Sequence, residues 1–358
     1  MKNCFFMFAM SSLILTSCVD SDYDLGNVNT DDATLGNSWS APLGVGNVTS
    51  EDVIDVDNVS AIRTDEDGAY YAVYEGLLEE PAKAKSVNLL KVGDHKELVA
   101  LVDVSTEELH NLFDGDFVLA LENPHIKIKS GIIDAILDCR LVMTSYGINK
   151  NFTTYSDFPL TSLEPNVWVG PITPDQQGIY KFVENKEMPM LLQVVPNNIH
   201  LDLYVDSDQV GNVPSETYSQ ISYYVELPFV PTKEFKATSA ELIENAFDEN
   251  FIDYIFSDGS AEIYGQIKNE MPFDLNVKMQ ILDENKNPLD IDLPSQEVKG
   301  NEANVVFKIT KEDMPKMECA RHINLLFDLI GRDNSDALKK GQKVEMILKL
   351  KKEGGISI

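Results

Sequence analysis

The stretch YKFVENKEMPMLLQVVPNNIHLDLYVD, Tyr180 to Asp206, decides the fold, because the chain writes it again as VVFKITKEDMPKMECARHINLLFDL, Val305 to Leu329. Each copy opens on an apolar strand-like run, passes through Met-Pro and returns to an alternating run. Met188-Pro189 answers Met314-Pro315, and Ile199-His200-Leu201 answers Ile323-Asn324-Leu325. Alternation of apolar and polar residues is the period of a strand with one buried face. Proline cannot donate to a ladder, so it marks a strand start or an edge.

After a polar loop in each copy, ISYYVELPF (Ile221 to Phe229) answers VEMILKLKK (Val344 to Lys352). Upstream, VLALENPHIKIK (Val118 to Lys129) answers IYGQIKNEMPFDLNVK (Ile263 to Lys278), each with Asn and then Pro ahead of an alternating strand. The same order of signals twice predicts an all-β chain with minor α: two tandem related β-sandwich domains, residues 39–232 and 233–358. The boundary falls near FVPTKEFK, Phe229 to Lys236. One or two short helices are expected. Ser105-Thr106-Glu107-Glu108 offers a capping box, and Thr238-Ser239-Ala240-Glu241 opens a stripe of Leu242, Ile243, Ala246, Phe247, Ile252 and Ile255.

Ahead of the sandwiches the texture differs. Lys2 and the apolar run FFMFAMSSLIL (Phe5 to Leu15) read as a signal peptide over 1–17, too short for the roughly 20 residues a spanning helix needs. Residues 18–38 are polar, rich in Asp, Asn and Gly and aperiodic, which reads as an acidic flexible tether. Between signal and tether stands Leu15-Thr16-Ser17-Cys18, which resembles the bacterial lipobox at all four positions. The resemblance implies cleavage before Cys18 and a diacylglycerol on its sulfur, so the chain would meet a membrane through lipid. Asp20, Asp22 and Asp24 resemble the acidic export signal of Bacteroidetes-type lipoproteins. That resemblance implies the outer membrane, with the folded part displayed at the cell surface.

With 29 Lys+Arg against 59 Asp+Glu, the net charge is −30, and losing Lys2 with the signal makes it more negative still. No basic surface could compensate phosphates, so nucleic acid is excluded as a partner. Such a charge keeps a displayed protein soluble. Cys139 and Cys319 remain once Cys4 and Cys18 are set aside, and each lies in an apolar segment that predicts a buried free thiol.

Catalytic and metal signatures are missing from the text of the sequence. The five histidines (His95, His110, His125, His200 and His322) fall in no HExxH spacing, and GxSxG, GxGxxG and P-loop motifs do not occur. Asp283-Glu284-Asn285-Lys286-Asn287 begins like a calcium loop, but Pro288 stands where glycine is required and Pro294 where the bidentate Glu belongs. A hairpin turn is the better reading there, and strand propensity accounts for Tyr70, Tyr71 and Tyr74 better than sugar stacking does.

The strand–Asn–Pro–strand opening also resembles LEA-like β-sandwiches. The chain as a whole resembles Bacteroidetes-type outer-membrane lipoproteins of unassigned activity, through its lipobox, acidic tether, APLG opening (Ala41 to Gly44) and lysine-rich closing strand. The expectation is a non-catalytic cell-envelope lipoprotein, without metal or cofactor, that presents a surface to a glycan, a protein complex or another cell. Two alternatives stay open: a hydrolase whose carboxylates meet only in the fold, and a periplasm-facing carrier of an apolar ligand.

Overall fold

The computed structural model describes residues 38–353, apart from 55, 57–58, 80–94, 114–116, 132–135, 148–149, 162, 175–178, 210–220, 248–259 and 334. Cys18, Asp20, Asp22 and Asp24, with the signal peptide, lie outside the described residues. The chain enters on β1 (Ser38–Thr49), turns through the short helix α1 (Ser50–Val53), and continues into β2 (Ile62–Thr64), β3 (Tyr70–Leu77) and β4 (Lys96–Ser105). Next come β5 (His125–Ser130), β6 (Ile136–Tyr146), β7 (Asn151–Thr161), β8 (Asn166–Gly170), β9 (Lys181–Glu184), β10 (Asn198–Asp206) and β11 (Ile221–Pro228). The rest are β12 (Lys236–Ile243), β13 (Ser260–Asn269), β14 (Phe273–Leu282), β15 (Gln296–Val298), β16 (Glu302–Ile309), β17 (His322–Gly331) and β18 (Lys343–Glu353).

Four sheets result. In the first unit β2-β3-β11-β5-β8-β9 accompanies β4-β10-β6-β7, and in the second β1-β18-β13-β16 accompanies β12-β17-β14-β15. Setting aside β2 and β9 leaves eight strands in each unit, which can be lettered A to H in chain order. Both units then read A-H-C-F and B-G-D-E. This is the strand order of a jelly roll, two sheets wound from Greek keys. The repeat written in the sequence is therefore a repeat of topology.

The strand that opens the chain does not belong with the strands that follow it. β1 pairs with β18 along its length, from Ser38 opposite Glu353 to Thr49 opposite Lys343. It supplies strand A of the second unit, so the first unit is inserted between strands A and B of the second. The unit expected at 39–232 thus lacks its first dozen residues, and the arrangement is nested rather than strictly tandem.

Four further expectations change. The Met-Pro segments match: Met188–Leu191 and Met314–Cys319 are both 3-10 turns with Pro in the first turn. The strands before them do not match, because β9 lies parallel to β8 at a sheet edge while β16 lies antiparallel to β13. β8 fills the place of β16. Upstream, HIKIK is β5 and pairs with β11 and β8, whereas FDLNVK is β14 and pairs with β17 and β15. The counterpart of β5 is β13, one strand earlier than the Asn-Pro comparison suggests.

The segment from Thr238, read as a helix, is strand β12 against β17. Its inward positions Ala237 and Ser239 are small, which hides the two-residue period. At Ser105 the expected capping box does not form. Thr106 Oγ1 donates to Pro196 O at 2.7 Å, and Glu108 accepts from Ser60 N and Oγ at 2.9 Å and from Ala61 N at 3.2 Å. A 3-10 turn, Glu107–Asn111, stands there instead, and the capping box is found at α1 between Thr49 and Asp52.

Inward residues of all four sheets join one contiguous core that runs through both units. Phe235, in the connector, sits between Phe113 of the first unit at 5.5 Å and Phe273 of the second at 5.0 Å between ring centroids. Backbone bonds tie the same junction: Tyr70 N to Leu338 O, Leu338 N to Phe229 O, and Phe229 N to Tyr70 O, at 2.8–2.9 Å.

Both cysteines are free, and Cys139 is buried as expected, but Cys319 is exposed at the end of its 3-10 turn. Burial pushes the Cys139 thiol up to about 12. In the chain of residues 19–358, a thiol reagent such as DTNB is therefore expected to titrate one group in the native state and a second only after unfolding. Two fast groups in the native state would show Cys139 to be accessible.

Candidate functional site

Antiparallel neighbours place their side chains on a common face at each register pair. On the outer face of the six-stranded sheet, Glu226 of β11 stands opposite His125 of β5, and Lys127 of β5 stands between Tyr224 and Trp168 of its two neighbours. These pairings gather one cluster. His125 Nε2 lies 3.0 Å from Glu226 Oε2, and Lys127 Nζ donates to the same oxygen at 2.6 Å. His125 Nδ1 lies 3.0 Å from Asn123 O. Both ring nitrogens thus face acceptor oxygens.

The His125 ring stacks on Trp168 at 3.7 Å, 14° from parallel. Lys127 Nζ sits 4.9 Å from the Trp168 ring centroid and 6.0 Å from that of Tyr180, which meets Trp168 edge-on. Gly170 is required beside them: a Cβ there would lie 2.9 Å from His125 Cβ and 3.1 Å from Trp168 Nε1. Trp168 Nε1 and Asn123 Oδ1 are buried without a hydrogen-bond partner among the described residues.

Burial pushes the Glu226 carboxyl upward, but the hydrogen bonds from His125 and Lys127 outweigh it and hold the group below the ordinary carboxylate range. A carboxylate depressed in the folded state stabilises fully above its unfolded value and loses that contribution as pH falls through the folded one. Glu226→Gln is therefore expected to cost about 2 kcal/mol at pH 7, since it leaves the partly buried Lys127 ammonium and the buried His125 ring facing a weaker acceptor. The gap between variant and parent should close in denaturation curves taken below about pH 4. A gap independent of pH would show that packing, not charge, sets the loss.

A second polar cluster occupies the outer face of the other sheet of this unit. His200, buried, has Nε2 at 3.0 Å from Asp202 Oδ1 and Nδ1 at 3.8 Å from Asp103 Oδ1. The hydrogen bond to Asp202, foremost, raises its pKa above the usual histidine value. His322 accepts from Asn245 N at 3.0 Å and fixes the left-handed turn there, and His110 pairs with Asn197 at 2.9 Å.

The loop opening at Asp283 is a turn closed on itself. Asp283 accepts from the backbone of Asn285 and Asn287 at 2.8 Å, so its oxygens are engaged by the chain's own N–H groups. Tyr70 faces the core, and Tyr74 packs against it. Among the described residues no group of three or more His, Cys, Asp or Glu is placed to hold a metal ion. No described helix is long and apolar enough to cross a membrane.

Two further aromatic rings on the outer faces carry cations. Lys129 lies 4.7 Å from Tyr224, and Arg140 lies 4.4 Å from Tyr155 while bonding both oxygens of Asp157 at 2.6 Å. Each such contact contributes about 0.5–1 kcal/mol at an exposed position. As for acid–base chemistry, Glu241 on β12 is held above the carboxylate range, by burial first and by the charge of Asp52. Asp52 is itself engaged, accepting from Thr49 N at 2.8 Å and Thr49 Oγ1 at 2.6 Å. Glu226, depressed and doubly bonded, is suited to holding a cation rather than to giving up a proton. In the sequence His125 falls in no catalytic or metal spacing, and no motif singles out Trp168 or Glu226. The HIKIK alternation puts His125 and Lys127 on one face, but nothing local names their partners.

A protein of Parabacteroides distasonis ATCC 8503, described as a candidate secreted protein, is similar in sequence and structure. The two share 52% identity with a TM-score of 0.82, over 89% of this chain and all of that one. Cowpea mosaic virus top component (10% identity, TM-score 0.20, 85% of this chain and 95% of that one) and N-glycanase F (9%, 0.22, 79% and 96%) are matched far more weakly. No curated protein matches. The family model described as protein of unknown function DUF4621 matches residues 23–358, and the chain belongs to that family.

Proposed function

We propose that the protein is a non-catalytic lipoprotein of the cell envelope. In this reading Cys18 carries the lipid, Asp20, Asp22 and Asp24 direct the chain to the outer surface of the outer membrane, and the first jelly roll presents its outer sheet face to a glycan or protein partner. The observation that carries the reading is the cluster of His125, Lys127, Glu226, Trp168 and Tyr180. It is an ordered charged and aromatic platform on a sheet face, with the Glu226 carboxylate held by His125 and Lys127. The similarity to a candidate secreted protein supports a location outside the cytoplasm.

Proteinase K digestion of intact and permeabilised cells tests the placement. Cleavage in intact cells is expected, and a Cys18→Ala variant should appear in the medium. Protection until permeabilisation would move the protein to the inner leaflet. Binding to envelope glycans and to captured surface proteins is then compared between the parent and Tyr180→Ala. Undiminished binding by the variant would remove the platform from the account.

A further inference from the structure

The nested topology puts the two ends of β1 to different uses. At Ser38 the chain leaves toward the N-terminal tether, and Ser38 lies opposite Glu353 at the closing end of β18. At Thr49, opposite Lys343, the chain turns through α1 into the first unit. The β17–β18 loop beside that end is bonded to the first unit by Lys340 N to Gly68 O at 2.9 Å, and to α1 by Gly341 N to Ser50 Oγ at 3.0 Å. The tether and the first unit are therefore separated by the length of β1, about 40 Å for a dozen extended residues.

A force drawn between the tether and the first unit runs along the axis of β1. For β1 to move, it must slide past β18, and every backbone pair from Ser38–Glu353 to Thr49–Lys343 then yields together. A force applied between the two chain ends acts differently. Ser38 and Glu353 are neighbours across the ladder, so that force opens the pairs one at a time from one end. Side chains add to the sliding barrier. Val48 is buried, and Gly44 and Gly46 let β1 approach so closely that a Cβ would lie 2.7 Å from Ile243 Cγ2 and 2.8 Å from Leu325 Cδ1. The shift in register between Pro42 and Gly44 interrupts the ladder and keys it against slippage.

We propose that the second unit serves as a mechanical clamp, holding β1 in shear so that load between an anchored N-terminus and a partner bound to the first unit does not unravel the protein. The proposal rests on the reading of the N-terminus as the anchor, but the clamp itself is a property of the fold and is measured without a membrane. Leu163, 93% exposed, suits a handle at the far end of the first unit. It precedes Asn166, which connects through Lys129 and Ser222 to Leu77, at the opposite end of the sheet from the Tyr70 junction.

The chain of residues 19–358 is held by its N-terminus and by a Leu163→Cys handle, with Cys319→Ser to remove the other exposed thiol. It is compared in single-molecule pulling with the same chain held by its two termini. At one loading rate, the first rupture is expected at a force at least about twofold higher for the N-terminus–163 geometry, since forced unfolding reports the barrier to unfolding along the direction pulled. Equal forces, or a lower force in that geometry, would overturn the clamp. Those outcomes would leave the anchor reading standing, and release of unlipidated protein tests the anchor separately.

Discussion

A chain beginning at residue 54 is expected to lose the fold of its second unit, although all but one of that unit's strands lie more than 180 residues downstream. The truncation removes β1 and α1. It leaves β18 as a bare edge along the whole ladder from Lys343 to Glu353. At roughly 1 kcal/mol net for each backbone hydrogen bond, a ladder of this length contributes on the order of 5–10 kcal/mol, comparable with the whole stability of a domain.

The losses go beyond the ladder. Val48 and Val53 are core residues, and Ser50 holds the β17–β18 loop through Gly341 N. The first unit keeps its eight lettered strands, so circular dichroism should retain part of the β signal while thermal unfolding loses cooperativity. Adding a peptide of residues 38–54 is expected to restore the single transition. A truncated chain with the parent's midpoint would show that β1 contributes little to the second unit.

Gly331→Ala is expected to destabilise the protein by about 3 kcal/mol or more, at or above the upper end of the usual cost of overpacking. The reason is backbone rather than side chain. A Cβ at Gly331 would lie 1.8 Å from Thr232 O and 2.8 Å from Thr232 C, with Phe235 Cβ at 3.0 Å. Thr232 O cannot retreat freely, because it accepts from Phe235 N at 2.9 Å in the connector between the units. Gly331 N in turn donates to Phe235 O at 3.1 Å.

The next residue is also committed. Arg332 Nε donates to Asp274 Oδ1 at 2.7 Å, and its Nη2 donates to Gly300 O at 3.1 Å. Relief would therefore have to displace either the connector or the end of β17. A fall in midpoint of about 4 °C or more follows for a chain of 358 residues, read by scanning calorimetry. Gly300→Ala is the control for stereochemistry alone. Gly300 has φ +84°, but its Cβ would meet nothing within 4 Å, so about 1 kcal/mol is expected there. Equal losses at the two positions would refute the steric account.

These two results bear on function because both act at the junction that orients the platform. The cluster around Glu226 lies on the sheet whose β3 and β11 end at Tyr70 and Phe229, the residues bonded to Leu338 of the second unit. Loss of the second unit should thus loosen the presenting face from its base without dismantling the His125–Glu226–Lys127 contacts themselves. Residual binding by the truncated chain would separate recognition from mechanical support.

The sequence by itself determined the class of the fold and the repeat within it. Alternation in HLDLYVD and HINLLFDLI fixes β10 and β17, because the two-residue period of a strand is a local property that any half-buried sheet imposes. Met-Pro fixes the paired 3-10 turns for an equally local reason, since proline presets its own φ and is tolerated in a first turn. What the tertiary structure alone decided is partnership. Alternation tells which side chains share a face but not which strand lies alongside. That choice let Ser38–Thr49 cross the whole of the first unit to pair with Lys343–Glu353. It also drew the small-residue segment from Lys236 to Ile243 into a ladder with β17 rather than a helix. The candidate site follows the same rule. His125 and Lys127 share a face by local period, while Glu226 and Trp168 reach them only through the register of β11 and β8, set by the cooperative packing of both sheets on one core.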